Sequence, residues 1–79
     1  MEKGQLKSNA FGEAVRAKRI AAELTQEELA DRSGLDRSYI GGVERGERNP
    51  TLNVIERIAL GLGVGLADLF SYSRDSSAV

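Results

Sequence analysis

The side chains best placed for chemistry in this sequence are Gln26 and a short polar stretch that begins at Arg37. Arg37, Ser38 and Tyr39 open a predicted helix. An arginine in the first turn opposes the helix dipole, so its presence there suggests an external anion. A guanidinium also matches the O6 and N7 acceptors of guanine in the major groove. Gln26 opens the preceding predicted helix, where unpaired backbone amides favour a phosphate. The pattern predicts binding to nucleic acid.

The residue types that most catalytic and metal sites need are missing. The sequence contains neither cysteine nor histidine, which excludes a disulfide and leaves no ligand set for structural zinc. Its acidic residues are not spaced as in a calcium-binding loop. The glycines within 61–65 follow a predicted helix and not a strand, which favours a helix stop over a nucleotide-binding loop. We therefore expect no catalytic residues, no metal, no cofactor and no small-molecule ligand.

The overall charge gives only weak support to nucleic-acid binding. The chain has 11 Lys and Arg against 12 Asp and Glu, a net charge of −1, whereas nucleic-acid binders are often basic. The charges are segregated, however. Basic residues cluster in the first quarter and again at Arg37, Arg45 and Arg48, and acidic residues concentrate between Glu23 and Asp31. Such a chain can carry one positive face. A helical interaction module that does not bind DNA is the alternative from another functional class.

Capping signals predict short helices that would position these side chains. Thr25 and Glu28 form a capping box, which starts a helix, and Gly34 ends that helix in a left-handed conformation. Asp36 caps the next helix, and Gly46 terminates it. Two short helices joined by a three-residue turn cross at a steep angle, which lets the second one project from the body. The predicted helices span 10–23 (after the N-cap Asn9), 25–34, 37–45, 51–61 and 66–70.

Apolar spacing identifies the faces of these helices that are expected to point inward. The predicted inward residues are Phe11, Val15, Ala22 and either Ala14 or the stem of Lys18, then Leu29, Ala30, Leu35, Ile40 and Val43, and finally Leu52, Ile55, Ile58, Ala59 and Leu62.

Length and pattern predict an all-α protein, a compact five-helix bundle that contains a helix-turn-helix. We expect a flexible N-terminal arm over 1–8, one DNA-binding domain over 9–71 and a disordered tail over 72–79. No apolar run approaches the roughly 20 residues that a membrane-spanning helix needs, and no signal-like segment opens the chain. The expected location is the cytoplasm, without membrane contact.

The stretch LTQEELADRSGLDRSYIGGVERGERNPTL resembles the Xre-type helix-turn-helix family, which includes the lambdoid phage repressors and Cro. Within it, GLDRSYIGGVERGERN is most similar to the controller proteins of bacterial restriction–modification systems. The resemblance covers about residues 11–70 and implies a lambda-repressor-like fold. It also implies DNA contacts by six residues: Gln26 with phosphate, Arg37 and Ser38 with bases, Tyr39 with sugar-phosphate, and Arg48 and Asn49 with the backbone.

The resemblance implies two further features. Arg19 and Glu44 match a family ion pair that ties the first helix to the third. Similar proteins dimerise through their C-terminal helices, and part of the corresponding patch here is expected to close the monomer while Leu69 or Phe70 reaches a partner. The residues assigned to this dimer interface are Val64, Leu66, Leu69 and Phe70.

Gly41 and Gly42 depart from the family pattern. They lie inside the predicted recognition helix, and Gly42 falls where phage-type members often carry a base-reading polar residue. Each glycine costs roughly 1 kcal/mol of helix propensity relative to alanine. Their presence is consistent with close approach of the DNA backbone and with readout of DNA shape.

The function implied by this resemblance is sequence-specific transcriptional regulation. Controllers of this kind bind paired operator half-sites as dimers and switch their own promoter, which delays the endonuclease until methylation is established. The expected partners are therefore double-stranded operator DNA and a second copy of the chain. An Xre-type antitoxin and a phage Cro-like or repressor-like autoregulator are the alternatives.

Overall fold

Five helices make up the computed structural model, which describes residues 10–70. They are α1 (Ala10–Ala21), α2 (Gln26–Ser33), α3 (Arg37–Glu44), α4 (Leu52–Leu62) and α5 (Leu66–Phe70). No strand occurs within 10–70, so the predicted all-α bundle is confirmed. The predicted N-cap Asn9, the arm over 1–8 and the tail over 72–79 lie outside the described residues.

The predicted capping signals form the ends of α2 and α3. The Thr25 hydroxyl accepts a hydrogen bond from the Glu28 amide at 3.0 Å, and the Glu28 carboxylate accepts one from the Thr25 amide at 2.8 Å. Gly34 ends α2 with a φ of +68°. Gly46 follows α3 with a φ of +79°. An alanine at either glycine would be strained, because its Cβ disfavours the left-handed region.

The first helix ends two residues earlier than predicted. Glu23 adopts a φ of +61°, the one non-glycine residue within 10–70 with a positive φ. This conformation lets the Leu24 amide donate to the Arg19 carbonyl at 3.1 Å and the Glu23 amide donate to the Ile20 carbonyl at 2.9 Å. The chain therefore leaves the helix after Ala22, whose amide still donates to the Lys18 carbonyl at 3.0 Å. Ala22 is exposed and not inward as predicted.

The core lies where α2 packs against α3 and α4, with α1 covering α3 and α5 closing on α1 and α4. Leu52 was wrongly predicted to be part of it. Although Leu52 shares a helix face with Ala59, it is 60% exposed, whereas Val54 and Ile55 of the same turn are partly buried against the core. The buried apolar side chains are Ala14, Val15, Leu29, Ala30, Ile40, Val43, Ile58, Ala59, Leu62 and Leu69, with Phe11, Leu35, Ile55 and others partly buried against them.

Between residues 10 and 70, no helix is both long and apolar enough to cross a membrane. In the same part of the chain, no three His, Cys, Asp or Glu residues are grouped so as to hold a metal ion.

Candidate nucleic-acid interface

The turn between α2 and α3 is held in place from α4. Arg57 donates from Nε to the Ser33 carbonyl at 3.1 Å and from Nη2 to the Gly34 carbonyl at 2.7 Å. These two carbonyls would otherwise lack partners at the end of α2. Arg57 therefore fixes the angle at which α3 leaves the body. Sequence reasoning missed this residue, because a contact between positions 23 and 24 residues apart leaves no local signal.

The predicted ion pair between Arg19 and Glu44 forms beneath α3. Arg19 Nε lies 2.6 Å from Glu44 Oε2 and Arg19 Nη2 lies 3.0 Å from Oε1, a two-point contact. The Glu44 side chain is only 3% exposed, and that of Arg19 is 12% exposed. The hydrogen bonds to Glu44 raise the pKa of Arg19 above its usual value. Arg19 Nη1 also donates to the Leu24 carbonyl at 2.8 Å, so the pair joins α1, the turn after it and α3.

Gln26 connects this buried pair to the surface. Its Nε2 donates to Glu44 Oε1 at 3.0 Å, and its Oε1 accepts from Arg37 Nη1 at 3.3 Å. A chain of side chains thus runs from Arg19 through Glu44 and Gln26 to Arg37. Gln26 is half-buried, and its contact with a phosphate stays a prediction.

The first turn of α3 exposes Arg37 and Ser38. Asp36, the N-cap, accepts hydrogen bonds from the Ser38 amide at 3.1 Å and from the Ser38 hydroxyl. These bonds, the hydroxyl's first, lower the pKa of the Asp36 carboxyl. Arg37 and Ser38 therefore project from a helix start that is fixed by its cap, as base-reading groups must be.

Tyr39 and Arg48 contact each other. Tyr39 is half-buried, and the Arg48 guanidinium carbon lies 5.6 Å from its ring centroid, within cation–π range. Asn49 is exposed on the loop that follows. The DNA contacts expected of these three residues stay predictions.

Arg45, which directly follows α3, belongs to the basic cluster seen in the sequence but was not assigned a DNA contact. It pairs with Glu47, with Arg45 Nη2 3.1 Å from Glu47 Oε1 and both side chains 60% exposed. The contact raises the pKa of Arg45, and the same contact lowers the pKa of Glu47. A pair this exposed contributes little to stability. Arg45 could therefore give up its contact with Glu47 and bind an anion such as a phosphate at little cost in stability.

The predicted dimer patch lies on α5 and the turn that precedes it. Phe70 is 58% exposed and its ring stacks on Phe11, with the centroids 6.0 Å apart. Val64 and Leu66 are half-buried. Leu69, in contrast, is 1% exposed and belongs to the monomer's core. Of the four residues assigned to the interface, three retain surface for a partner.

Comparison with known proteins identifies the fold that carries this site. A helix-turn-helix family model matches residues 15–69. The chain belongs to this helix-turn-helix family. The match spans α2, the turn and α3 together with most of the supporting helices, which confirms the predicted Xre-type resemblance.

Several relatives that the chain matches are restriction–modification control proteins. The control protein C.BamHI of Bacillus amyloliquefaciens is 42% identical over 64 residues, covering 80% of this chain and 79% of that protein. The crystal structure of the controller protein C.AhdI of Aeromonas hydrophila matches with a TM-score of 0.80 and 48% identity, covering 82% of this chain and 98% of that one. The controller C.Esp1396I, solved as a tetramer with its 35-base-pair operator, matches with a TM-score of 0.76 and 38% identity over 81% of this chain and 84% of that one.

Proposed function

We propose that the chain is a sequence-specific DNA-binding regulator of transcription, of the restriction–modification controller type. The observation that carries this proposal is the exposed first turn of α3. Arg37 and Ser38 project from it, and the helix beneath them is anchored by the Arg19–Glu44 pair. The family match and the similarity to controllers, which covers 79% of C.BamHI and 98% of C.AhdI, support the same function. We propose binding and not catalysis as its activity, and the cytoplasm, where bacterial DNA is found, as its location.

We propose a part for each element in this function. Arg37 and Ser38 enter the major groove and contact base edges. Gln26 and the start of α2 contact a phosphate. Arg48 and Asn49 add contacts beyond α3. The net charge of −1 is compatible with this, since Arg37, Arg45 and Arg48 are all on or next to α3.

We further propose that the active form is a homodimer held by Val64, Leu66 and Phe70. Exposed aromatic residues are among the side chains enriched at protein interfaces. A two-fold dimer would place two copies of α3 about 34 Å apart, one turn of duplex, and would select near-palindromic operators.

Selection from random duplex DNA tests the main proposal. The purified full chain is incubated with the pool at near-physiological salt, and the bound fraction is sequenced. We expect enrichment of a two-fold symmetric site with half-sites about one helical turn apart. The affinity for that site should fall as salt rises, with a slope of about −0.9 per phosphate neutralised. A folded protein that enriches no sequence would refute the proposal and would favour a protein partner instead.

Sedimentation equilibrium of Phe70→Ser tests the dimer. The variant should shift the monomer–dimer equilibrium towards monomer. Ile20→Ser is the matched control, because Ile20 is also exposed (52%) but lies at the opposite end of α1 from Phe11. An equal shift in both variants, or no shift in either, would show that the dimer interface does not include Phe70.

A further inference from the structure

The two ends of α3 are held by different contacts. Its last residue, Glu44, is buried in the ion pair with Arg19. Its first turn, which carries Arg37 and Ser38, follows directly on the turn from α2. The position of the proposed base-reading side chains therefore depends on how rigidly that turn is held.

Hydrogen bonds hold the turn from α2 and from α4. The Leu35 amide donates to the Ala30 carbonyl, inside α2, at 2.9 Å. The carbonyls of Ser33 and Gly34 accept from Arg57, on α4, at 3.1 and 2.7 Å. A guanidinium is a rigid, planar set of donors, so its bonds to two successive carbonyls fix their orientation as well as their distance from α4.

A glycine one helical turn after Arg57 lets α4 approach the end of α2. A Cβ placed on Gly61 would lie 2.5 Å from Ser33 Oγ and 3.2 Å from Leu29 Cδ1. The first distance is shorter than real Cβ contacts allow, so even an alanine would push the two helices apart. Gly61 and Arg57 share a helix face, because they are four residues apart. Such a shift would therefore also withdraw the guanidinium from the turn.

Resting on the proposed function, we propose that Arg57 is a positioning residue for operator recognition and that Gly61 gives it access to the turn. Arg57 contacts no base in this role. It acts through the turn by fixing the start of α3, from which Arg37 and Ser38 read the operator. An arginine reads guanine by two hydrogen bonds at once, so a small rotation of α3 removes base preference before it removes affinity for DNA in general.

Operator binding by Arg57→Ala tests the proposal. Affinity is measured for the selected operator and for operators with single base-pair changes, and the ratio of the two affinities is the preference. The variant should lose roughly 5- to 10-fold in preference at the base pair read by Arg37, out of the about 5- to 150-fold that one bidentate contact supplies. A structural role alone would not change this ratio, because a smaller folded fraction lowers the affinity for every operator by the same factor.

Two variants separate the geometry of Arg57 from its charge. Arg57→Lys keeps the charge but lacks the rigid pair of donors, so it should also lose preference, by less than Arg57→Ala. Arg32→Ala is the matched control, since it removes an exposed arginine one residue before Ser33. It should keep the wild-type preference at every base pair.

Amide hydrogen exchange locates the effect within the fold. In Arg57→Ala, the Leu35 amide of the turn should exchange faster than in the wild type. The Arg45 amide, which donates to the Gly41 carbonyl at the far end of α3, should keep its protection. Equal acceleration of both amides would indicate that α3 loosens as a whole and would contradict a role at its start.

A second pair of variants tests the access that Gly61 provides. Gly61→Ala should lose the same preference as Arg57→Ala. Adding Ser33→Ala should restore it, because the hydroxyl that the new methyl group would meet is then removed and the next neighbour lies at 3.2 Å. This second substitution should cost little, since the Ser33 hydroxyl is buried without a hydrogen-bond partner among residues 10–70.

Four results would overturn the inference. An equal loss at every operator in Arg57→Ala would leave Arg57 only a structural role. Wild-type preference in Arg57→Lys, or a lost preference in Arg32→Ala, would show that charge and not geometry matters. A Gly61→Ala defect that Ser33→Ala does not repair would exclude access to the turn as its cause. In each case wild-type preference for the selected operator keeps the proposed function intact, whereas a wild-type chain without any preference would overturn both.

Discussion

The inner and outer faces of α3 use the same residue types for opposite purposes. On the inner face, Glu44 is buried and holds Arg19 by two short contacts. On the outer side, just beyond the last residue of α3, Arg45 and Glu47 form a single contact with both side chains 60% exposed. Water and salt screen the outer pair, whereas the inner pair is largely shielded from them. Charge therefore contributes to stability on one side of this helix and remains available for a ligand on the other.

The comparison predicts that mutations on the inner face affect folding and that mutations on the outer face affect binding. Gln26 contacts Glu44 on the inner face and Arg37 on the outer face, so its removal should lower both stability and DNA affinity, each by a smaller amount.

Of these substitutions, Glu44→Ala should lower the free energy of unfolding the most. It leaves the Arg19 guanidinium largely buried without its partner, and breaking a buried pair in this way costs roughly 3–5 kcal/mol of unfolding free energy. In a domain of this size each kcal/mol lowers the melting temperature by about 4–8 °C, so thermal denaturation followed by circular dichroism should show a large shift.

The double variant Arg19→Met with Glu44→Leu is the control. Removing both charges together should restore most of the lost stability, although Gln26 and the Leu24 carbonyl would each lack one hydrogen bond. Wild-type melting of Glu44→Ala would show that the inner pair is not a structural element.

Arg37→Ala should weaken operator binding by roughly 1–3 kcal/mol and relax the base preference at one position of each half-site. Its melting temperature should stay close to that of the wild type, because the Arg37 side chain is exposed and holds only Gln26. Titration against operators with single base-pair changes measures this. A uniform loss across all bases would mean that Arg37 contacts phosphate and that specificity arises elsewhere.

The sequence predicted those features of the fold that depend on neighbouring residues. Local signals predicted the ends of α2 and α3, since Thr25, Glu28, Gly34 and Asp36 act on neighbouring amides and carbonyls. The resemblance supplied the Arg19–Glu44 pair, which the structure confirms. The end of α1 was predicted wrongly, because a glutamate seldom adopts the left-handed conformation of Glu23.

Contacts between distant segments were not predictable from local pattern. The bonds from Arg57 to the turn depend on how loops and helices pack in three dimensions, and so does the position of the Arg48 side chain over Gly42, where an added Cβ would lie 2.8 Å from Arg48 Cγ. The glycines of α3 suggested an approach of DNA to the backbone, yet in the structure the space above Gly42 belongs to Arg48. Gly42 was therefore recognised as unusual from the sequence, but the side chain that packs against it was not predicted.

Gln26→Ala should cause a moderate loss of both stability and affinity. It removes the hydrogen bond to Glu44 and the one from Arg37, and a hydrogen bond of this kind contributes roughly 0.5–1.5 kcal/mol. Base preference should be preserved, since Arg37 itself remains. Paired melting and binding experiments measure the two losses. A relaxed preference equal to that of Arg37→Ala would show that Gln26 controls the reading geometry and does not merely support it.

Ser38→Ala should have the smallest effect on folding, and its effect on binding should be limited to one type of base pair. The Ser38 hydroxyl donates its proton to Asp36, so only its lone pairs face outward, and these can accept from the amino groups of adenine or cytosine but cannot donate. The variant should lose preference for such a base pair alone. Removing the hydroxyl should also raise the pKa of Asp36 towards its ordinary value, because that hydroxyl is the largest cause of its depression.

A carboxyl titration by NMR measures this change. Because the folded pKa of Asp36 is depressed, the stability it contributes is present above its unfolded pKa and is lost as pH falls through the folded value. The wild type should therefore retain this contribution further into acid than Ser38→Ala does. An unchanged Asp36 titration would show that the hydroxyl is free, and Ser38 could then donate to guanine or thymine as readily as it accepts.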